Sequence, residues 1–242
     1  MIVEADLNSA ELRVVAILAN DKPFLEALAE GRSPHVETAA ELFGTAIGKE
    51  SEEYTFAKSF TYRWIYTHPD KPPSGEGGQL RLYSVDVNKD RLTYMNERMN
   101  KLHPAIVQWK RGTLRELRTT RKVTTVFGRY RHFGWALSSW DGKLVAHAEN
   151  ASLNFKVQPV IGDIINNAFI RADTALHSFL SEPYGIVIQN HDALVVECPV
   201  NQVDAVKRVL CEAIEVPVPE LGNAIIPAEF KVGPTWGEAK PC

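Results

Sequence analysis

Two apolar segments joined by a polar turn, in the last quarter of the chain, constrain the fold most strongly. Residues 185–199 read GIVIQNHDALVVECP, with the β-type runs IVI and ALVVE on either side of His191 and Asp192. Apolar, β-branched runs joined by a short polar turn are typical of a β-hairpin. The segment therefore predicts two paired strands with an acid at the turn between them.

A second apolar segment ending in an acid opens the chain. Residues 2–6 read IVEAD, and the following ELRVVAILA has the apolar spacing of a helix packed on a core. Two acids at the ends of distant strands are what a two-metal phosphoryl-transfer site requires, since Mg²⁺ prefers hard oxygen ligands. An Asp at a strand end more often caps a turn or a helix, so Asp6 and Asp192 alone leave both interpretations open.

The remaining elements follow from hydrophobic periodicity and from Pro and Gly punctuation. Helices are predicted from Asp21 to Gly31, over His35–Phe43, over Glu52–Tyr66, over Leu92–Leu117 with an interruption at Pro104, over Ala146–Leu180 with a bend or break at Pro159, and over Gln202–Glu215. A loop is predicted over Pro69–Gly78, a hairpin in KVTTVFGRYRHF turning near Gly128, and a final strand between Ile225 and Trp236. This mixture predicts an α+β fold.

Composition excludes several classes of protein. The 242 residues are 45% hydrophobic, enough for a substantial core, and no apolar run reaches the length of a membrane span. The N-terminus lacks the pattern of a signal peptide, so we expect a cytoplasmic location and no membrane partner. Three cysteines without paired spacing indicate neither a disulfide framework nor a zinc site.

The distribution of charge matters more than the formal net charge of −3. Between Arg98 and Arg131 the sequence has ten Lys or Arg residues and the single acid Glu116. Such a block can neutralise nucleic-acid phosphates, or it can be a solvated basic helix face.

Several blocks, in order along the chain, resemble the motifs of family A DNA polymerases, the family of bacterial DNA polymerase I. ADLNSAELRVVA (5–16) and QNHDALVVE (189–197) resemble the two catalytic motifs, and AKSFTYRWIY (57–66) resembles the nucleotide-binding fingers helix. LAEGRSPHVETAAELFG (28–44) is similar to the segment with a phosphate-binding His, and NASLNFKVQPVIGDII (150–165) to the long palm helix. The resemblance spans nearly the whole chain.

The resemblance implies a right-hand polymerase core, with a palm of residues 1–20 and 119–242 and inserted fingers of residues 21–118. It implies that Asp6 and Asp192 bind two Mg²⁺ ions together with the backbone carbonyl of Leu7. The implied reaction is the template-directed addition of dNTPs to the 3′ end of a primer on primer-template DNA.

Further residues match nucleotide-binding positions of the family. The resemblance implies that Glu11 crowds the sugar 2′ position, that Lys58 contacts the triphosphate and acts as a catalytic general acid, and that Tyr62 and Tyr66 stack on sugar and base. Arg32 and His35 match phosphate contacts. Lys58, Tyr62 and Tyr66 lie at i, i+4 and i+8, on one face of a helix. Outside the motif such a stripe would be core with a solvated edge, and Glu11 would be a helix N-terminal acid.

The resemblance also assigns contacts with DNA. His191 would lie beside the primer terminus, Asn154 and Gln158 would touch the last base pairs, and Arg129 and Arg131 would contact phosphates. As isolated residues, His191 would bond within its turn, and the two amides would lie on a helix surface.

The chain departs from the family pattern at several positions. Tyr54 stands where the family usually has an Arg, Arg63 and Thr67 replace glycines, Ala193 replaces an acid and Asn150 replaces an Arg. The first motif begins within six residues of the N-terminus, so we expect the thumb and the exonuclease to be absent. A second polypeptide would then supply them, as in the split polymerases that viruses sometimes encode; otherwise the chain is an excised or degenerate fragment.

The alternatives to a polymerase are a catalytically weak or inactive polymerase-like module that binds nucleic acid or assembles a complex, and another two-metal enzyme such as a nuclease.

Overall fold

The computed structural model of the chain describes residues 1–44, 47–73 and 88–242, which form seven β-strands and ten α-helices. The strands are β1 (Ile2–Leu7), β2 (Lys122–Thr124), β3 (Tyr130–His132), β4 (Gly185–Asn190), β5 (Ala193–Glu197), β6 (Ala228–Gly233) and β7 (Lys240–Pro241). The helices are α1 (Ala10–Ala19), α2 (Lys22–Ala29), α3 (Pro34–Phe43), α4 (Glu52–Tyr66), α5 (Lys89–Leu102), α6 (Pro104–Thr120), α7 (Gly134–Leu137), α8 (Gly142–Phe155), α9 (Gln158–Leu176) and α10 (Val203–Ile214).

The described chain divides into two compact units. The sheet unit comprises Met1–Val14 and Gln158–Cys242, and the helical unit comprises Val15–Val157. The assignment of residues 1–20 and 119–242 to a palm and 21–118 to fingers stays a prediction. Across the described residues, none of the helices combines the length and the apolarity that crossing a lipid bilayer requires.

The sheet unit is built on an antiparallel sheet with the strand order β4-β5-β1-β6-β7. In β1 the side chains of Val3, Ala5 and Leu7 are buried, while Glu4 and Asp6 alternate with them and therefore project from the opposite face. Because β1 is the central strand, residues from β5 and β6 flank both of its acids.

Helices α9 and α10 supply the apolar layer of the sheet unit. Helix α10 buries one stripe of apolar side chains, a pattern typical of an amphipathic helix, and packs against α9 and β1. The Arg171 guanidinium, on α9, donates two hydrogen bonds of 2.9 and 2.7 Å to the carbonyl of Ala213. This contact satisfies a carbonyl in the last turn of α10, which has no partner within its own helix.

Side-chain caps determine where several helices of the helical unit begin. Asp21 accepts a hydrogen bond from the Phe24 backbone N–H at 3.2 Å, and Ser51 accepts one from Tyr54 at 3.1 Å. One core cluster of this unit joins α6, β2, α7 and α8; it consists of Leu114, Leu117, Val123, Phe133, Ala136, Ala148 and Leu153.

Most predicted elements lie where the sequence placed them, including α4, both hairpins and the helix interruption at Pro104. The helix predicted over Ala146–Leu180 is two helices, and the break falls at Lys156–Val157, just before Pro159, whose ring cannot continue a preceding helix. The predicted loop over Pro69–Gly78 is described only to Pro73, and its remainder lies outside the described residues. Helix α7 and strand β7 were not predicted.

We expect Gly233→Ala to destabilise the sheet unit. A Cβ at Gly233 would lie 2.6 Å from the backbone nitrogen of Ala239, and the backbone cannot yield as a flexible side chain would. The free energy of unfolding, measured by chemical denaturation, should fall by about 1–3 kcal/mol. Gly237→Ala is the matched control, because a Cβ there meets nothing within 4 Å. Equal stability of the two variants would contradict this prediction.

Candidate active site

Asp6 lies near the end of β1, and its neighbours are set by strand register. It pairs with Ala193 of β5 on one side and with Glu229 of β6 on the other. Glu4, two residues earlier on the same face, pairs with Lys231 and forms an ion pair with it. The charge of Glu4 is therefore compensated, whereas Asp6 stands opposite a second acid.

Asp192 occupies the two-residue turn between β4 and β5, as predicted for the hairpin. Its carbonyl accepts a 3.0 Å hydrogen bond from the Leu7 backbone N–H, which ties the turn to the end of β1. His191, the other turn residue, is exposed and has a φ of 53°, a left-handed conformation that non-glycine residues seldom adopt. The hairpin thus places residue 192 beside residues 6 and 7, far from them in sequence.

The electrostatics of Asp6 reflect this neighbourhood. Burial, together with the negative charge of Asp192, raises the pKa of the Asp6 carboxyl to about 6, and the nearby charge of Lys231 opposes this only in part. A carboxyl that is partly buried beside another acid is unstable as an anion. A bound cation would relieve this instability.

An open pocket of about 460 Å³ lies in the sheet unit beside the turn. Its lining includes Glu11, Gln158, His191 and Asp192, four of the residues predicted for the site. Glu11 is in the first turn of α1 and Gln158 begins α9; the Gln158 amide donates a hydrogen bond to the Glu11 carboxylate. The fold therefore brings together residues that are 147 positions apart.

The donor set suits a hard divalent cation that keeps several waters. Among the described residues, no group of three or more His, Cys, Asp or Glu side chains is placed to bind one metal ion. Two carboxylates with water and substrate oxygens are, however, the usual environment of Mg²⁺ in proteins. Asp6 and Asp192 fit that pattern, since burial and the negative charge of Asp192 together raise the pKa of the Asp6 carboxyl.

In the helical unit the predicted stripe lies along α4, with different degrees of burial. Lys58 is exposed and Tyr62 is half-buried, its ring centroid 5.2 Å from that of His35. Tyr66, in the last turn, packs against the α6, β2, α7 and α8 core cluster. Spacing placed the three side chains on one helix, but packing gives them unequal access to solvent.

His35 is buried rather than presented on the surface. Its side chain is 3% exposed, and neither ring nitrogen has a hydrogen-bond partner among the described residues. Burial, assisted by the positive charge of Lys58, lowers the pKa of the His35 imidazole to about 4. The ring is therefore neutral at physiological pH. Arg32, predicted as the second phosphate contact, is exposed and paired with Glu30, at 2.6 Å, and with Glu37.

The basic block is used partly within the protein itself. Arg98, Arg111 and Arg118 form ion pairs with Glu41, Asp70 and Glu149. Lys110 is fully buried; its ammonium donates to the Trp64 carbonyl and lies 4.0 Å from the Trp64 ring centroid. Burial lowers the pKa of Lys110 well below its usual range. Arg129 and Arg131, at the β2–β3 hairpin, are exposed.

Asn154 and Gln158 belong to different helices, on either side of the break predicted at Pro159. Asn154 lies in the last turn of α8, where its carbonyl accepts a 3.0 Å bond from the Val157 backbone N–H. The turn at Lys156–Val157 then separates it from the start of α9.

The family model described as DNA polymerase family A matches residues 1–238. The chain belongs to DNA polymerase family A. It is 28% identical over 243 residues to the thermostable DNA polymerase I of Thermus filiformis, and 26% identical over 243 residues to DNA polymerase I of Caldicellulosiruptor bescii. Each match covers 99% of this chain but only 27% of the relative, so the chain spans about a quarter of their length.

A solved structure agrees with the family assignment at the level of the fold. The POL domain of Pol1 from M. smegmatis, solved in complex with DNA primer-template and dNTP, matches with a TM-score of 0.80 and 22% identity. The match covers 98% of this chain and 40% of that chain. It confirms the predicted α+β class, with an antiparallel sheet and helices.

The departures from the family A pattern have local structural roles. The Tyr54 and His35 rings pack edge-to-face, with 6.4 Å between their centroids. The Thr67 hydroxyl donates a 2.7 Å hydrogen bond to the Arg63 carbonyl. The Asn150 amide oxygen accepts a 3.2 Å hydrogen bond from the His68 backbone N–H. Ala193 is buried beside Asp6. These replacements are therefore integrated into the packing and the hydrogen bonding of the fold.

Sequence reasoning missed the contribution of β6 to the site. The charges of Lys231 and Glu229 act on Asp6 with opposite sign. The alternation in AEFKVG, residues 228–233, places these two side chains on one face of a strand. The missing information was that this strand pairs with β1, which a local pattern does not contain.

We expect Asp6→Asn to stabilise the metal-free protein, and more so at neutral than at acidic pH. The folded-state pKa of Asp6 is raised to about 6, so between about pH 4 and pH 7 the folded protein binds more protons than the unfolded chain. The ionisation of this residue therefore lowers the free energy of unfolding as the pH rises through that range. Chemical denaturation in EDTA at about pH 5 and about pH 7.5 measures the difference. Asp204→Asn, at an exposed acid in the first turn of α10, should raise stability at neither pH. A gain for Asp6→Asn that is equal at both pH values would refute the prediction.

Proposed function

We propose that this chain catalyses magnesium-dependent, template-directed addition of deoxynucleotides to a primer 3′ end. The observation that carries the proposal is the meeting of Asp6 and Asp192, which strand register and the Leu7–Asp192 backbone bond hold side by side. Family membership supports this assignment of chemistry. Since the chain spans about a quarter of its relatives, the activity is proposed for this chain on its own residues.

Asp6 and Asp192, with the Leu7 carbonyl, would hold the two Mg²⁺ ions in this proposal. When bound, the ions would lower the pKa of the primer hydroxyl and neutralise the charge of the leaving pyrophosphate. The raised pKa of Asp6 supports this role, because its carboxyl has little charge compensation from the protein. Metal binding would displace the proton that the carboxyl holds below about pH 6.

The remaining roles follow from family membership and from the environment of each residue. Glu11, restrained by Gln158, would exclude a sugar 2′-hydroxyl, and exposed His191 would lie beside the primer terminus. In the helical unit, exposed Lys58 would donate to the triphosphate and protonate pyrophosphate, and Tyr62 and Tyr66 would stack on the sugar and the base. Arg32, Arg129, Arg131 and Asn154 would contact phosphate or DNA.

A polymerase-like module without catalysis is the second candidate, favoured by Tyr54 in place of an expected cation and by Arg32 being paired with two acids. A module of this kind would bind primer-template without extending it. A two-metal nuclease, the third candidate, would act without dNTPs. One assay therefore separates the three functions.

We expect Asp192→Asn to reduce primer extension by at least about a hundredfold, because removing a metal-binding carboxylate removes several kcal/mol of charge stabilisation. The assay uses labelled primer-template, Mg²⁺ and dNTPs. Asp204→Asn, which removes an exposed acid elsewhere in the sheet unit, is the matched control and should extend normally. Undiminished extension by Asp192→Asn would exclude the proposed site, and cleavage without dNTPs would favour the nuclease.

We expect His35→Phe to be neutral or stabilising by up to about 1 kcal/mol, since it removes two buried ring nitrogens that lack partners among the described residues. If His35 turns toward phosphate when nucleotide binds, the same change should raise KM for dNTP. Chemical denaturation and steady-state kinetics measure the two effects. His147→Phe, at an exposed histidine of α8, is the control. A loss of stability above about 2 kcal/mol would contradict the assignment of His35 as a buried, unsatisfied ring.

The second polypeptide stays a prediction. Primer extension by this chain alone, at a rate that an added thumb-containing partner leaves unchanged, would argue against it.

A further inference from the structure

Exposed aromatic side chains concentrate in one short stretch of the helical unit. Tyr130 is 60% exposed, Trp135 is 74% exposed and Trp140 is fully exposed. Two of the chain's five tryptophans thus lie in solvent within six residues. Exposing large aromatic rings to water is unfavourable in free energy, so a concentration of them indicates a surface that binds a ligand or a partner.

The same stretch is rich in positive charge. Arg121, Lys122 and Arg131 are exposed, and the single acid from residue 121 to 141 is Asp141. Asp141 caps α8 by accepting a 2.8 Å hydrogen bond from the Lys143 backbone N–H. The resulting aromatic–basic surface consists of Arg121, Lys122, Tyr130, Arg131, Trp135 and Trp140.

A packed layer supports this surface. Val123, Phe133 and Ala136 alternate with its exposed residues in sequence and belong to the buried core cluster. The Phe133 backbone N–H donates to the Arg121 carbonyl at 2.8 Å, which fixes the end of the hairpin to the end of α6. The exposed rings therefore project from β3, from α7 and from the turn that follows α7.

Contacts within the surface connect its aromatic and basic members. The Lys122 ammonium lies 5.3 Å from the centroid of the Tyr130 ring, which packs edge-to-face with the His132 ring at a centroid distance of 5.4 Å. The Arg121 guanidinium donates to the Ser138 hydroxyl at 3.4 Å, which links it to the turn that carries Trp140. The surface therefore joins three cations and three rings within residues 121–140.

We propose that the aromatic–basic surface binds single-stranded nucleic acid, with bases stacked on Trp135 and Trp140 and phosphates held by Arg121, Lys122 and Arg131. Unpaired bases stack on exposed aromatic rings with little dependence on sequence, and basic side chains follow the backbone. In a duplex the base faces are already stacked, so a ring surface selects for single strands. The proposal rests on the proposed polymerase function only in naming DNA as the nucleic acid.

Charge favours nucleic acid over a protein partner as the occupant. The centre of a protein interface is depleted of charged residues, whereas this surface carries three exposed cations in the same segment as its rings. A polyanion neutralises these cations and covers the rings at the same time. The tryptophans extend the contact beyond the phosphate roles proposed for Arg129 and Arg131.

The test is binding of a fluorescent oligothymidylate of about 12 nucleotides to the full chain in EDTA, without dNTPs. Trp135→Ala and Trp140→Ala should each weaken binding about fivefold or more, and the parent protein's tryptophan fluorescence should be quenched on binding. Tyr94→Ala, at a 54% exposed ring of α5, is the matched control and should bind normally. Arg131→Ala should reduce the slope of log affinity against log salt concentration by about one.

Unchanged oligothymidylate binding by the double Trp135→Ala, Trp140→Ala variant would overturn the proposal. So would duplex binding that is equally tight and equally sensitive to the two tryptophans. Loss of self-association in the double variant, with oligonucleotide binding intact, would assign the surface to a protein partner instead. Because the assay contains neither metal nor dNTP, its outcome is independent of the Asp192→Asn extension result.

Discussion

The candidate active site depends on an unfavourable interaction, the approach of two carboxylates that the backbone holds together. The register of β1 with β5 and the Leu7–Asp192 hydrogen bond place Asp192 beside Asp6 without any help from their charges. Lys231 compensates Glu4 by a direct ion pair and Asp6 only at a distance. Burial and this repulsion both disfavour the charged form of Asp6, so the fold loses stability in the metal-free state, and such sites occur often where a protein has a function.

Local signals were sufficient to predict most elements. Asp21 and the following Pro23 predict the start of α2, and the proline at 159 predicts the break between α8 and α9, because capping and a missing backbone N–H act within a few residues. The position of β6 beside β1 could not be predicted in this way. Strand pairing joins residues more than two hundred positions apart, and so the influence of Glu229 and Lys231 on Asp6 became visible only in the folded chain.

The candidate site residues show the same division between local and tertiary information. Spacing correctly placed Lys58, Tyr62 and Tyr66 along α4, yet it could not show that Tyr66 packs on a core cluster. Likewise, the motif around His35 gives no sign that its ring is buried, since burial depends on α3 packing against α4. Asn154 and Gln158 lie on either side of a helix break that the proline at 159 already indicated.

The distribution of charge then limits where affinity for nucleic acid can originate. The pocket beside the hairpin turn is lined by Glu11 and Asp192, with Asp6 adjacent to Asp192, so without cations it repels phosphate. Three of the ten cations of the basic block form internal ion pairs, and Lys110 is buried. Exposed cations of the block also lie at the β2–β3 hairpin, where Lys122 and Arg131 are close in sequence to exposed rings that can stack on bases. In a chain with a net charge of −3, binding through stacking as well as charge makes affinity less dependent on salt than phosphate contacts alone would.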